Sequence, residues 1–163
     1  TESFSVAGHR YVPGFFCHMN HMWLGEKTGA TPDGRRAGIP FADGAGAVQG
    51  AERNGPTAAV LSTTKWNHTK ALGGIVQNLR FSHKTMASEV GRVAVRKVIE
   101  TYLYRGGFEV QVNVVSAATL AEARRKPEEY RDLVVRVAGY SDYFTTMAPA
   151  LQDEVIARTQ FEV

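Results

Sequence analysis

Four groups of residues in this 163-residue chain could do chemistry, and each also has a plain structural reading. His18 and His21, with His9 further off, invite a metal site. Their neighbourhood reads as an aromatic-rich strand over Tyr11–Asn20, on which a spacing of three sends the two rings to opposite faces. No acidic residue completes a zinc-type pattern and the single cysteine cannot supply a thiolate set, so pocket lining or packing is favoured and no metal is expected. Cys17 beside His18 could pair a nucleophile with a base, but adjacent strand residues point apart, which leaves a packed thiol. The glycine-rich stretch "ADGAGAVQG" could cradle a phosphate, yet it contains no GxxxxGK[ST] pattern and does not join a strand to a helix. The fourth candidate is Gly139 in "RVAGYS", after the apolar run Leu133-Val134-Val135. A glycine there is ordinary turn chemistry. It could equally be present for its two α-hydrogens, and spacing does not decide between the two.

The elements that must position these residues fall into two textures. Residues 25–57 hold eight glycines and three prolines with no helical or strand period, and read as one long irregular loop. Loops of that length are uncommon unless functional or braced by other structure. Beyond it, Ala58–Thr63 is a short apolar run and Gly73–Phe81 is a strand candidate. Val90, Val93, Ala94, Val98, Ile99, Tyr102 and Leu103 then recur at helical spacing over Ala87–Tyr104, with Ser88 as N-cap and Arg105-Gly106-Gly107 as the stop. "FEVQVNVVS" alternates strictly, which predicts a strand whose apolar face is Phe108, Val110, Val112 and Val114. Thr119-Leu120-Ala121-Glu122 reads as a capping box opening a short helix through Lys126. Pro127 opens a turn over Glu128–Asp132, Leu133–Val137 is the next strand, and Pro149 starts a helix over Ala150–Arg158. This alternation predicts an α/β fold with parallel pairing through crossovers.

Composition bounds the function classes. With 44% hydrophobic residues the chain can build one real core. The net charge of +3 comes from interspersed charges, and the run Arg124-Arg125-Lys126 is flanked by Glu122, Glu128 and Glu129, so no nucleic-acid partner is expected. No apolar run approaches the ~18–20 residues of a membrane span, so no membrane partner is expected either. Thr1–Ser5 lacks a signal-peptide pattern, and one cysteine excludes an internal disulfide, which fits a reducing cytoplasm. A start without Met points to processing or to a piece of a larger protein.

"VVRVAGYSDYF" followed by "LQDEVIARTQ" resembles the C-terminal signature of the glycyl radical enzymes, the pyruvate formate-lyase-like family. "GATPDGRRAGIPFADG", "GAERNGPTA" and "GGFEVQVNVVSAATLAEARRKPEEYRDL" resemble further family stretches in family order, so the resemblance runs over nearly the entire chain. Pyruvate formate-lyase tends to read "RVSGYA" in the radical loop; "RVAGYS" with "LQDEVIART" is closer to the dehydratase, lyase and decarboxylase branch.

The resemblance implies that Gly139 is the catalytic residue and stores a carbon radical, the only cofactor implied, installed without oxygen by a separate S-adenosylmethionine-dependent activating enzyme. An α-carbon radical is stabilised by donation from its amide nitrogen and withdrawal by its carbonyl, which requires a planar centre that a Cβ would crowd. Shielding from water and oxygen implies that the loop sits deep in protein, with Tyr140, Tyr143 and Phe144 helping to bury it. The radical is passed to a cysteine thiol, and the thiyl attacks a small-molecule substrate. That cysteine belongs to a Gly-Cys segment absent from this chain, and Cys17 does not match it. The implied fold is the C-terminal part of an α/β barrel with the glycine loop inserted at its centre. Within one glycyl radical domain, 1–163, the segments are a barrel strand (1–24), the irregular loop (25–57), strands and helices (58–132), and the radical loop with a C-terminal helix (133–163). Phe16 and His18 are the implied substrate-binding residues. The favoured role is the radical-bearing fragment or subunit of an anaerobic lyase or dehydratase, whose remainder is a partner. The alternatives are a spare domain that repairs an oxygen-damaged partner, and a formate acetyltransferase or decarboxylase of the same family.

Overall fold

The structure is a computed structural model that describes residues 5–15 and 19–162. Strands β1 (Ser5–Val6) and β2 (His9–Arg10) form a short antiparallel hairpin. Helix α1 (Asn20–Glu26) follows, so the expected strand over Tyr11–Asn20 is corrected. Among its described residues, only Phe15 pairs, through one parallel bridge to Ile75. The aromatic composition that suggested a strand belongs to a segment that turns into a helix at Asn20.

From Lys27 to Asn54 the chain is irregular, as its glycines and prolines predict. It is nonetheless tied down. The buried Arg35 guanidinium donates to the carbonyls of Ile39 (2.5 Å), Arg36 (3.1 Å) and Gly29, and stacks 4.4 Å from the Phe41 ring centroid. Further on, Ala45 N donates to Val76 O at 2.8 Å. A Cβ on Gly44 would lie 2.3 Å from that same oxygen, so glycine is what lets the loop approach the sheet.

The apolar run after the loop is helix α2 (Gly55–Thr63), with Pro56 in its first turn. A parallel sheet then forms from β3 (Val76–Phe81), β4 (Glu109–Val114) and β7 (Gln160–Phe161) in the order β4-β3-β7. Helices α3 (His83–Ala87) and α4 (Glu89–Tyr104) make the crossover between β3 and β4, and α4 begins at the expected cap, Ser88, whose hydroxyl accepts from Gly91 N at 2.9 Å. Gly106, at φ +88°, stops α4 as expected.

Helix α5 (Ala117–Arg125) starts earlier than the capping-box reading. Its N-cap is Ser116, whose Oγ accepts from Thr119 N at 2.9 Å, so Thr119 sits inside the first turn. Strand β5 (Val134–Arg136) pairs antiparallel with β6 (Ser141–Tyr143), and α6 (Pro149–Ala157) carries the chain to β7.

The sheet has an apolar and a polar face, and both are covered. Leu79, Phe81, Val110 and Val112 pack with Val60 of α2 and with Val95, Val98 and Tyr102 of α4. Asn78, Arg80, Gln111 and Asn113 share the opposite face, in a register that sets Asn78 beside Gln111 and Arg80 beside Asn113. Beyond it lies a second apolar cluster of Leu120, Ala123, Val135, Val137, Phe144, Leu151 and Val155. Among the described residues no helix is long and apolar enough to cross a membrane.

Candidate functional site

Gly139 occupies the tip of the β5–β6 hairpin, where Val137 N donates to Tyr140 O at 2.8 Å and closes the turn. Val137 and Ala138 are fully buried, while Gly139 itself is exposed. Phe144 is buried but Tyr143 is half exposed, so the expected burial of the tip is not provided by this chain's described residues. The glycine stands at φ +86°, and a Cβ built on it meets nothing within 4 Å. Backbone conformation therefore restricts this position to glycine, and space does not.

Three side chains from the polar side of the fold hold the hairpin. Gln111 of β4, 5% exposed, accepts a hydrogen bond from Gly139 N at 3.1 Å. Its own amide nitrogen donates to Glu109 Oε1 at 2.6 Å, which fixes which end of the amide faces the glycine. Asn113, two residues on, acts as a substitute strand partner: Arg136 N donates to its Oδ1 at 2.7 Å, and its Nδ2 donates to Arg136 O at 2.8 Å. From the other side Arg158 Nη1 donates to Val137 O at 2.7 Å and to Arg136 O at 3.2 Å.

Arg158 also centres a buried ionic cluster. Its Nη2 lies 2.9 Å from Glu154 Oε2 and 3.4 Å from Asp43 Oδ2. Glu154 Oε1 accepts from Gln49 at 2.9 Å and faces His21 Nε2 at 3.4 Å, while Asn78 donates to Asp43 at 2.9 Å. Arg80 donates to the α6 carbonyls of Val155 (2.8 Å) and Ile156 (3.2 Å) and to Arg158 O. Burial pushes the Glu154 carboxyl upward, but the His21 ring and Arg158 together outweigh it and the net shift is downward. For Asp43 burial wins over Arg158 and the carboxyl is held above its ordinary range. Glu52, at the edge of this cluster, is pushed up to about 7 by burial and then by the Asp43 charge. Burial, then Asp142, raises the Tyr140 hydroxyl and keeps it protonated.

His21 thus lies on a helix, in an ion cluster, and the strand-face geometry assigned to it is corrected. Among the described residues no group of three His, Cys, Asp or Glu is placed to hold a metal. Phe16, Cys17 and His18 lie outside the described residues. Sequence reasoning missed Gln111, Asn113, Glu154 and Arg158. The usable signal was a strand whose polar positions are amides as well as a charge, followed by a helix ending in arginine.

Comparison with known proteins bears on the whole arrangement. The family model described as "Glycine radical" matches residues 41–145, a span that contains both β4 and the hairpin tip. The chain is 37% identical over 156 residues to trans-4-hydroxy-L-proline dehydratase of Clostridioides difficile, covering 96% of this chain and 20% of that protein. It is 40% identical over 156 residues to isethionate sulfite-lyase of Desulfovibrio desulfuricans, covering 94% and 18%. The B12-independent glycerol dehydratase from Clostridium butyricum, solved with glycerol bound, superposes with a TM-score of 0.90 at 38% identity, covering 96% of this chain and 20% of that one. The chain spans about a fifth of the length of the relatives it matches.

Proposed function

The chain belongs to the glycyl radical family, and from that premise we propose that it is the radical-bearing part of an anaerobic lyase or dehydratase, with Gly139 as the residue that stores the radical. The observation that carries this reading is the hairpin. Its tip glycine is left uncovered by this chain, while the preceding Val137 and Ala138 are anchored in the core and the backbone leading into the tip is clamped by Gln111, Asn113 and Arg158. A stored radical needs its backbone held in this way, and the shielding from water and oxygen would come from the remainder of the enzyme.

An S-adenosylmethionine-dependent activating enzyme is the proposed partner that removes one Gly139 α-hydrogen. The stored radical would supply hydrogen abstraction from a cysteine of the remainder of the enzyme, outside this chain. Within this chain, Gln111 fixes the Gly139 amide, Arg158 fixes the carbonyls just before it, and Tyr140 stays neutral. A small-molecule substrate undergoing loss of a neighbouring group fits relatives whose names are dehydratase and sulfite-lyase. Phe16 and His18 remain the proposed pocket residues, and a cytoplasmic setting is proposed with them. Tyr11, Val12, Phe15, Trp23 and Leu24 are all exposed, more large apolar side chains in one stretch than a free-standing surface leaves wet, which suits a chain packed within a larger body.

The test is activation of the complete enzyme without oxygen. Electron paramagnetic resonance should show a glycine-centred doublet that collapses when the protein is labelled with α-deuterated glycine. Brief air exposure should then cut the chain at Gly139. No signal under proven turnover of the activating enzyme would sink the reading.

A further inference from the structure

The hydrogen bond between Gly139 N and Gln111 does more than hold a turn. We infer that Gln111 is a positioning residue that tunes the electron density and orientation of the Gly139 amide, and through them the persistence of a radical on the adjacent carbon. This inference rests on the radical reading of Gly139 given above.

Three observations carry it. First, the acceptor is a side chain, where the hairpin's own backbone could have been used. Gly139 N donates to Gln111 Oε1 at 3.1 Å, whereas Val137 N uses the turn oxygen of Tyr140. Second, the amide of Gln111 is not free to flip. Nε2 donates to Glu109 Oε1 at 2.6 Å, so turning the amide over would place nitrogen against N–H and oxygen against carboxylate. Third, Gln111 is almost completely buried although the glycine it serves is exposed, so water competes poorly for its oxygen.

These contacts form a relay in which each link polarises the next. The Glu109 carboxylate draws on the Gln111 N–H and enriches the amide oxygen. That oxygen becomes a stronger acceptor for Gly139 N–H, which in turn enriches the glycine nitrogen. Nitrogen donation is half of what stabilises an α-carbon radical flanked by amide and carbonyl. The relay acts on that half alone, and Gln111 exchanges no hydrogen with Gly139. Asn113 provides the internal control. It grips the same hairpin through both backbone groups of Arg136, yet touches neither atom group of Gly139.

The experiment is electron paramagnetic resonance of the complete activated enzyme labelled with nitrogen-15 glycine, in wild type, Gln111→Met, Glu109→Gln and Asn113→Ala. Gln111→Met keeps length and removes the acceptor. It is expected to shrink the nitrogen hyperfine coupling and to lower radical persistence about fivefold, the scale of one net hydrogen bond. Glu109→Gln should shift the coupling the same way by less, and it decides the matter should Gln111→Met fail to fold. Asn113→Ala should loosen the hairpin and leave the coupling at the wild-type value. A coupling unchanged in Gln111→Met and Glu109→Gln overturns the inference while leaving the radical reading intact. An equal change in Asn113→Ala also overturns it, because the effect would then be general loosening. Absence of any glycine signal in activated wild type overturns the radical reading itself, and this inference with it.

Discussion

Two buried arginines hold two irregular parts of this molecule, and they work in opposite ways. Arg35 stitches a loop to itself. Its carbonyl acceptors, Thr28, Gly29, Arg36 and Ile39, all lie within seven residues of it in sequence. Arg158, just past the end of α6, ties together parts of the chain that are far apart, reaching Asp43 in the loop, Glu154 on α6, and Arg136 and Val137 beside the glycine tip. The first arrangement shapes a surface loop. The second makes the geometry of the hairpin depend on the loop, the last helix and the sheet at once, which suits a position where small displacements matter.

That contrast can be broken by experiment. The largest effect is expected from Arg158→Met, which leaves the Glu154 and Asp43 carboxyls buried without their cation; stability should fall by about 3 kcal/mol or more in urea unfolding. Arg35→Met should lower the same unfolding free energy by about 1–2 kcal/mol, because the freed loop carbonyls can turn to water. Equal losses from the two would remove the distinction between local and long-range ties. Third in size is a pH effect at Glu52, whose carboxyl is raised from 4.5 to about 7 chiefly by burial. Below its ordinary value it is protonated in both states; as pH rises from 4.5 to about 7 the unfolded chain ionises first, and the folded state loses stability. Glu52→Gln lacks that loss. Relative to wild type it should gain roughly 1–2 kcal/mol between pH 4.5 and pH 8, with solvent screening allowed for. A Glu52→Gln advantage that grew on lowering the pH instead would show that the Asp43–Glu52 neighbourhood is organised differently. The smallest effect is expected from Arg131→Ala, whose partner Glu128 is also exposed, at about 0.5 kcal/mol or less.

Legibility in the sequence follows the same division between near and far. Helix α4 and its Ser88 cap were readable because periodicity, cap and glycine stop all lie within some twenty residues of one another. Sequence alone points to Thr119 as the start of α5 where the structure has Ser116, since both residues offer a capping hydroxyl and only the three-dimensional turn selects between them. Alternation identified β4 but could not say what each face meets. Its polar positions Gln111 and Asn113 are among the buried ones, because the hairpin some twenty-five residues later supplies their partners. The resemblance picked out Gly139, whereas the residues that grip it were visible only once the sheet and α6 had been brought together.

One angle at the tip joins the two explanations for a glycine there. Donation from the amide nitrogen into a planar α-carbon is greatest when the Ala138–Gly139 peptide plane coincides with the plane of that carbon, a φ of about 180°. At φ +86° the two planes stand almost perpendicular. In the radical form proposed here the tip must therefore turn by roughly a right angle about N–Cα, staying in the positive-φ half of conformational space where only glycine moves without a Cβ clash. Gln111 holds the peptide before the pivot, so the turning would fall on the peptide after it and would load the Val137 N to Tyr140 O bond that closes the hairpin. In that proposed form the hairpin would act as a spring set against delocalisation, and the left-handed resting angle and the removable hydrogen would both be met by the absence of a Cβ.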